Sequence, residues 1–310
     1  MTRLGVIDLG SNSVRLVIYE AKKDPLSPKP FRILADEKKV AGLAAYVTDG
    51  RFSAAGIGRA ATILADLLKV SRNLSCERTD VFATAVLRNC VNSTEAVAAI
   101  EAAIEHPIRL LSATEEAALG LAGARIGRSL GEGTLIDIGG GSTELTALDA
   151  DGRAAASPGG GMSLSQGSVS SYAQFVALVL PDAAERRAIA EAFDERLEQL
   201  GDLAPYRHQH LFGIGGSVRA IAKMQAQALG TVSKPPVIAR ESLEQLLRLL
   251  EEDTSSFAHH AVKACPDRVH TLVPGMVIAH RIMETLGSED ITVCKYGIRE
   301  GYLVECMLGS

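Results

Sequence analysis

Three short stretches near positions 4–10, 13–20 and 31–39 have the length of β-strands, the first two dominated by apolar residues. From Ser53 a helical period sets in. Alanine, isoleucine and leucine recur on one helical face as far as Leu74, behind a serine suited to cap the first turn. A strand over 79–85, a helix over 93–104, a short strand over 108–111 and a helix over 114–126 follow, giving the order β-β-β-α-β-α-β-α. The pattern then restarts with strands over 133–138, 142–149 and 153–158, helices near 163–171 and 182–200, a strand running into Gly213 and a helix from Ser217 to Ala228. Helices near 241–252, 254–263 and 267–286, a strand over 290–295 and a closing helix over 298–308 complete it. The recurring order predicts an α/β protein of two domains, 1–126 and 127–310, with the closing helix free to pack back on the first. Residues 127–133 make a short join, which suits two domains that share a cleft and hinge about it.

One phrase occurs twice. Ile7-Asp8-Leu9-Gly10-Ser11-Asn12-Ser13-Val14-Arg15-Leu16 returns as Ile136-Asp137-Ile138-Gly139-Gly140-Gly141-Ser142-Thr143-Glu144-Leu145, with Asp137 standing 129 positions after Asp8. Each copy is an apolar strand, an aspartate, a turn of small residues and a second strand. Glycine and serine at such a turn leave backbone N–H groups approachable by an anion, and an aspartate at the strand end offers a hard oxygen to a divalent cation. One copy alone is equally an ordinary glycine hairpin; two in one register favour a phosphate cradle. A third cluster, Gly213-Ile214-Gly215-Gly216-Ser217, runs from strand into helix and offers a helix N-terminus to an anion. The stretch Ser157-Pro158-Gly159-Gly160-Gly161 reads both as a ligand loop and as a plain surface loop.

Composition changes this picture little. The chain of 310 residues carries a net charge of −5, so broad affinity for nucleic acid is not expected, and no apolar run reaches the roughly 18 residues of a membrane span. The first strand begins at Leu4, leaving no room for a secretory signal, so the expected location is the cytoplasm. Five cysteines without a C-x-x-C pair and seven histidines without H-x-x-x-H spacing argue against a zinc site. Lys22, Lys23, Lys29, Arg32, Lys38 and Lys39 gather around the first hairpin, either to steer a polyanion or to protect a solvated sheet edge.

The chemistry-bearing residues fall on these motifs. Glu144 lies seven positions after Asp137 across the second turn, so the two carboxylates can share a cation, partly through waters. Arg15 stands where Glu144 stands in the other copy, which suggests phosphate binding by charge at the first hairpin and metal handling at the second. Arg88 offers a planar fork to phosphate oxygens or a surface salt bridge. Ser112-Ala113-Thr114-Glu115-Glu116 opens a helix; it reads as a helix cap, or as a carboxylate aimed at a water, and only one of two adjacent glutamates can take the second role.

Paired Asp-Leu-Gly-type hairpins on β-β-β-α halves resemble the actin, hexokinase and heat-shock-70 superfamily. Within it the two phrases resemble the exopolyphosphatase and guanosine-pentaphosphate phosphohydrolase family, as do Ala83-Thr84-Ala85-Val86-Leu87-Arg88, Leu111-Ser112-Ala113-Thr114-Glu115-Glu116-Ala117 and Tyr296-Gly297-Ile298-Arg299-Glu300-Gly301-Tyr302. Ala113 and His270 depart from the common family pattern, and the chain resembles the short two-domain form. The resemblance implies two actin-like, ribonuclease H-like domains around a central phosphate-binding cleft, and release of terminal orthophosphate from inorganic polyphosphate or hydrolysis of guanosine pentaphosphate. It implies Mg²⁺, with Mn²⁺ able to substitute, held by Asp137, Glu144 and Asp8. Glu116 is the expected base, with Glu115 the alternative. Phosphate is expected at Gly10, Ser11, Asn12, Ser13, Arg15 and Arg88, at Gly139, Gly140, Gly141, Ser142 and Thr143, and at Gly215, Gly216 and Ser217. A metabolite kinase of the same superfamily is the weaker alternative, neither nucleic acid nor membrane is an expected partner, and a homodimer stays open.

Overall fold

A computed structural model describes residues 2–22, 30–155, 161–234 and 236–309 of the chain. The chain divides into two compact units, Met1–Arg128 with Tyr296–Ser310, and Ser129–Lys295. The first unit thus runs two residues past the expected boundary and takes in the end of the chain.

The first unit contains β1 (Arg3–Leu9), β2 (Ser13–Ala21), β3 (Phe31–Val40), a small hairpin of β4 (Val47–Thr48) and β5 (Arg51–Phe52), α1 (Ala54–Asn73), β6 (Arg78–Ala83), α2 (Ala85–Arg88), α3 (Ser93–Ile104), β7 (Ile108–Leu110) and α4 (Ala113–Ala124). Its last helix is α11 in chain order (Ile298–Tyr302), continued by a π-helical turn over Leu303–Leu308. The sheet order is β3-β2-β1-β6-β7, with β1–β2 and β2–β3 antiparallel and β1–β6 and β6–β7 parallel. Strand alternation divides its side chains between two cores. Ile7, Leu9, Leu16 and Ile18 pack with Leu64, Leu67 and Ile100 of α1 and α3, whereas Leu4, Val6, Val17 and Tyr19 pack with Leu119 of α4 and Tyr302 and Leu303 of the closing segment. Asp8 and Arg15 belong to the second face by the same period.

The second unit contains β8 (Gly133–Ile138), β9 (Thr143–Leu148), β10 (Met162–Leu164), α5 (Ser168–Phe175), α6 (Ala183–Gln199), β11 (His210–Ile214), α7 (Gly215–Leu229), β12 (Val237–Ala239), α8 (Arg240–Glu252), α9 (Thr254–Ala264), α10 (Val269–Leu286) and β13 (Asp290–Val293). Its sheet order is β10-β9-β8-β11-β13-β12. Removing the short antiparallel edge strand β12 leaves the order and directions of the first sheet, strand for strand. The sequence repeat is therefore a repeat of topology.

Local departures from the pattern have local causes. The third strand of the second half, expected over 153–158, appears as one bridge between Leu148 and Ala154, and residues 156–160 lie outside the described residues. Met162–Leu164, read as the start of a helix, pairs with β9 instead, because Ser163 finds its partner in Glu144; the helix begins only at Ser168. The expected strand 79–85 ends at Ala83, since Thr84 turns the chain into α2.

In the first unit α11 lies unusually close to α4. A Cβ on Gly301 would stand 1.8 Å from the carbonyl oxygen of Leu119, and one on Gly123 would stand 2.0 Å from that of Gly297. Both obstacles are backbone, which cannot swing aside. Gly301→Ala and Gly123→Ala should each lower stability by about 1–3 kcal/mol or more, the scale of overpacking. Gly58→Ala, exposed within α1 with nothing near its Cβ position, should instead raise it by about 0.5–1 kcal/mol. Denaturant midpoints decide; equal effects at all three positions would contradict the close approach.

Candidate active site

Both repeated turns close alike. Gly10 N donates to the Ser13 carbonyl at 3.2 Å, and Gly139 N to the Ser142 carbonyl at 2.9 Å. In the first, the Asn12 carbonyl accepts from the amides of Ala41 and Gly42, and the Ser11 carbonyl from Ala44. In the second, the Gly139 carbonyl accepts from Ser168, and the Gly140 carbonyl from Val169 and Ser170, all in the first turn of α5. Each turn thus spends most of its carbonyls on neighbouring backbone. Among the described residues the amides of Ser11, Asn12, Gly140 and Gly141 have no backbone acceptor. Ser11 and Asn12 are buried, and Nδ2 of Asn12 is a buried donor with no partner. Buried N–H groups left this way call for an acceptor from outside the chain.

Electrostatics separates the two copies. Asp137 stands directly opposite Glu144 in the β8–β9 register, so the two carboxylates share a sheet face, away from Ile136, Ile138 and Leu145 of the apolar core. Glu144 is buried and accepts from Ser163 Oγ at 3.1 Å. A Cβ on Gly215, whose φ is +86°, would lie 2.2 Å from Asp137 Oδ1; only glycine lets the carboxylate rest on the first residue of α7, where the helix dipole favours it. Gly216 admits another group: its Cβ position lies 2.1 Å from Nη2 of Arg268. Ser217 Oγ donates to Ser168 Oγ at 3.1 Å, and Thr143 Oγ1 to the Gln166 carbonyl at 2.7 Å, fixing the helix starts and the turn. Gly139, Gly140, Gly141, Ser142, Asp137, Glu144 and the α7 start therefore gather within the second unit.

In the first unit Asp8 stands opposite Arg15 and receives a hydrogen bond from Arg299 Nη1 at 2.8 Å. Burial pushes the Asp8 carboxyl above the ordinary carboxylate range, and Arg299, then Arg15, oppose this. Arg15 makes a two-pronged pair with Asp36 on β3, so the residue read as a phosphate ligand is engaged by its own sheet. Arg88, at the end of α2, donates through Nη1 to Glu116 Oε2 at 2.6 Å and to the Leu111 carbonyl at 3.1 Å. Two residues assigned separate roles are one ion pair. The neighbouring glutamates diverge as helix geometry requires. Glu115 closes a capping box with Ser112, accepting from its N and Oγ at 2.9 Å, and accepts from Arg109 at 2.7 Å. The Ser112 backbone amide, then Arg109, then the Ser112 hydroxyl hold the Glu115 carboxyl down at about 2.

Arg268 and Arg299 were not singled out by sequence reasoning. Two consecutive glycines opening α7 were the available sign that something presses on that turn; for Arg299 it was the position inside the Tyr296–Tyr302 motif. Of the basic cluster, Lys23 and Lys29 lie outside the described residues, as do 157–160 of the glycine loop. Among the described residues no three metal-ligating side chains cluster, and no helix is long and apolar enough to cross a membrane.

Comparison with known proteins points to one family. The family model "Ppx/GppA phosphatase family" matches residues 17–309. Exopolyphosphatase 1 of Mycobacterium leprae is 23% identical over 97% of this chain and 88% of its own length. The guanosine-5'-triphosphate,3'-diphosphate pyrophosphatase of Aeromonas hydrophila is 28% identical over 98% of this chain, but only 59% of that protein is covered. Among solved structures, an exopolyphosphatase from Cytophaga hutchinsonii superimposes with a TM-score of 0.82 at 20% identity, covering 99% of this chain and 98% of that one. The Ppx/GppA family member of Aquifex aeolicus gives 0.75 at 22%, with coverage of 99% and 98%. The chain belongs to the Ppx/GppA phosphatase family. Its fold is that of the Ppx/GppA structures, here two α/β units of one strand order, and it is a phosphoanhydride hydrolase.

The Glu115 geometry makes a prediction about stability and pH. Its folded pKa, about 2, lies below the ordinary 4.5, so the charge stabilises the fold above pH 4.5 and the contribution disappears as pH falls toward 2. The side chain is partly exposed, so Glu115→Gln should cost less than about 1 kcal/mol at pH 7. Urea midpoints of the two proteins should converge as pH falls from 4.5 toward 2; a gap that widens on acidification would contradict the cap.

Proposed function

We propose that this protein releases terminal orthophosphate from inorganic polyphosphate. The observation that carries the reading is the pair of turns whose carbonyls are mostly spent and whose amides at Ser11, Asn12, Gly140 and Gly141 lack backbone acceptors among the described residues, since such donors match phosphate oxygens. The relative spanned over 88% of its length bears the exopolyphosphatase name, which favours polyphosphate. Guanosine pentaphosphate is the second reading, favoured by the higher identity to the Aeromonas pyrophosphatase.

Phosphoanhydride chemistry of this kind implies magnesium, with manganese as a substitute. Asp137 and Glu144 fit such an ion: both present hard carboxylate oxygens from one sheet face, and an ion that retains several waters does not need a third protein carboxylate. When bound, the ion neutralises phosphate charge. The rest falls to the chain. Turn amides and the α7 start hold phosphate oxygens, and Arg88 uses the donors not given to Glu116. Glu116 accepts a proton from the attacking water, whose oxygen bonds to the terminal phosphorus as the bridging P–O bond breaks; the electron pair leaves with a chain one phosphate shorter. Arg88 fixes the direction of the Glu116 carboxylate for that task.

Phosphate release from long-chain polyphosphate, tripolyphosphate, guanosine pentaphosphate and ATP, compared side by side with Mg²⁺, should be fastest with polyphosphate. Asp137→Asn and Glu144→Gln should each lower kcat by at least about 10², the scale of losing one charge-stabilising contact. Glu116→Gln should lower kcat by about 10²–10⁴ with little change in KM, and Glu115→Gln far less. If the Glu116 variant stayed active, the base would have to be sought elsewhere.

A further inference from the structure

We infer that Asp8 is not a metal ligand: Arg299, brought in by the closing segment, engages its carboxylate, so the first hairpin is a metal-free phosphate cradle and the divalent cation is held through Asp137 and Glu144. The inference rests on the metal reading proposed above and goes beyond it by removing Asp8 from the expected ligand set and giving its carboxylate to Arg299.

Asp8 and Asp137 hold the same register position in the two hairpins, but the residue opposite is Arg15 in one and Glu144 in the other. The second copy faces carboxylate with carboxylate, an arrangement that attracts a cation; the first faces carboxylate with guanidinium. Arg299 adds another. Its Nη1 lies 2.8 Å from Asp8 Oδ2, with the two side chains only 14% and 17% exposed. Arg299 Nε is buried without an acceptor, so Asp8 is the one hydrogen-bond acceptor of this guanidinium among the described residues. The adjacent Glu300 spends its oxygens elsewhere, on Tyr19 OH at 2.8 Å and Gly297 N at 3.1 Å, which pins the helix that carries Arg299. A dication on Asp8 would have to sit against a buried positive charge, in surroundings where like charges repel strongly. A phosphate oxygen meets no such obstacle.

The test is Mn²⁺ binding to the full-length protein without substrate, read from the EPR signal of free Mn²⁺. Asp8→Asn combined with Arg299→Gln removes carboxylate and guanidinium together, so no buried charge is left alone; circular dichroism checks the fold. This double variant should bind Mn²⁺ within about threefold of the wild type, whereas Asp137→Asn should bind at least about tenfold more weakly, the usual scale for damage at a metal site. Arg299→Gln alone, which releases the Asp8 carboxylate, should bind as much Mn²⁺ as the wild type or more, a readout that mere structural damage would not raise. Loss of Mn²⁺ affinity in the folded double variant, or in Arg299→Gln if the double variant does not fold, overturns the inference and leaves the metal reading standing. A wild type that binds no Mn²⁺, or an Asp137→Asn variant that binds it normally, removes the metal reading and this inference with it.

Discussion

The first unit depends on how the end of the chain re-enters it. Helix α11 meets α4 backbone to backbone, at Gly123 against Gly297 and at Gly301 against Leu119, where no larger residue fits. That approach seats Tyr302 and Leu303 over one face of the sheet and sets Arg299 at Asp8 and Glu300 at Tyr19. The polar groups brought in are buried, so they are tolerated only because they are paired. Burial, then the negative charge of Glu300, pushes the Tyr19 phenol far above its ordinary range, which keeps it a hydrogen-bond donor. The same contact holds α4, and α4 carries Glu116.

Duplication supplied one geometry and divergence two electrostatic roles. Both units use the same strand order, the same turn closure and the same aspartate position. What differs is the partner across the hairpin and the segment after the fourth strand. In the first unit that segment is Thr84 and α2, ending in Arg88; in the second it is the glycine start of α7, on which Asp137 rests. Cationic contacts dominate the first copy and carboxylates the second.

Much of this was legible in the sequence because strands and turns are encoded locally. Short apolar runs bounded by glycine turns located β1, β2, β8 and β9, and the two glycine turns announced themselves by repetition. The capping box was legible too, as serine followed three positions later by glutamate, and it separates Glu115 from Glu116 in a way the string alone left open. Pairings across long separations were not legible. Asp8 and Arg299 lie 291 positions apart, and nothing near either names the other. Arg268 reaches Gly216 through packing of elements whose arrangement only the fold decides. The short strands β10 and β12 escaped because three residues carry little period of their own; β7, equally short, was found because it stands between two clear helices.

The central claim is that a water held in this site attacks the terminal phosphorus of a phosphate chain. Hydrolysis of polyphosphate in ¹⁸O-enriched water, followed by ³¹P NMR of the products, tests it most directly. The account predicts one ¹⁸O atom in each released orthophosphate and none in the shortened chain. Label in the shortened chain, or phosphate released only when an acceptor other than water is present, would contradict it.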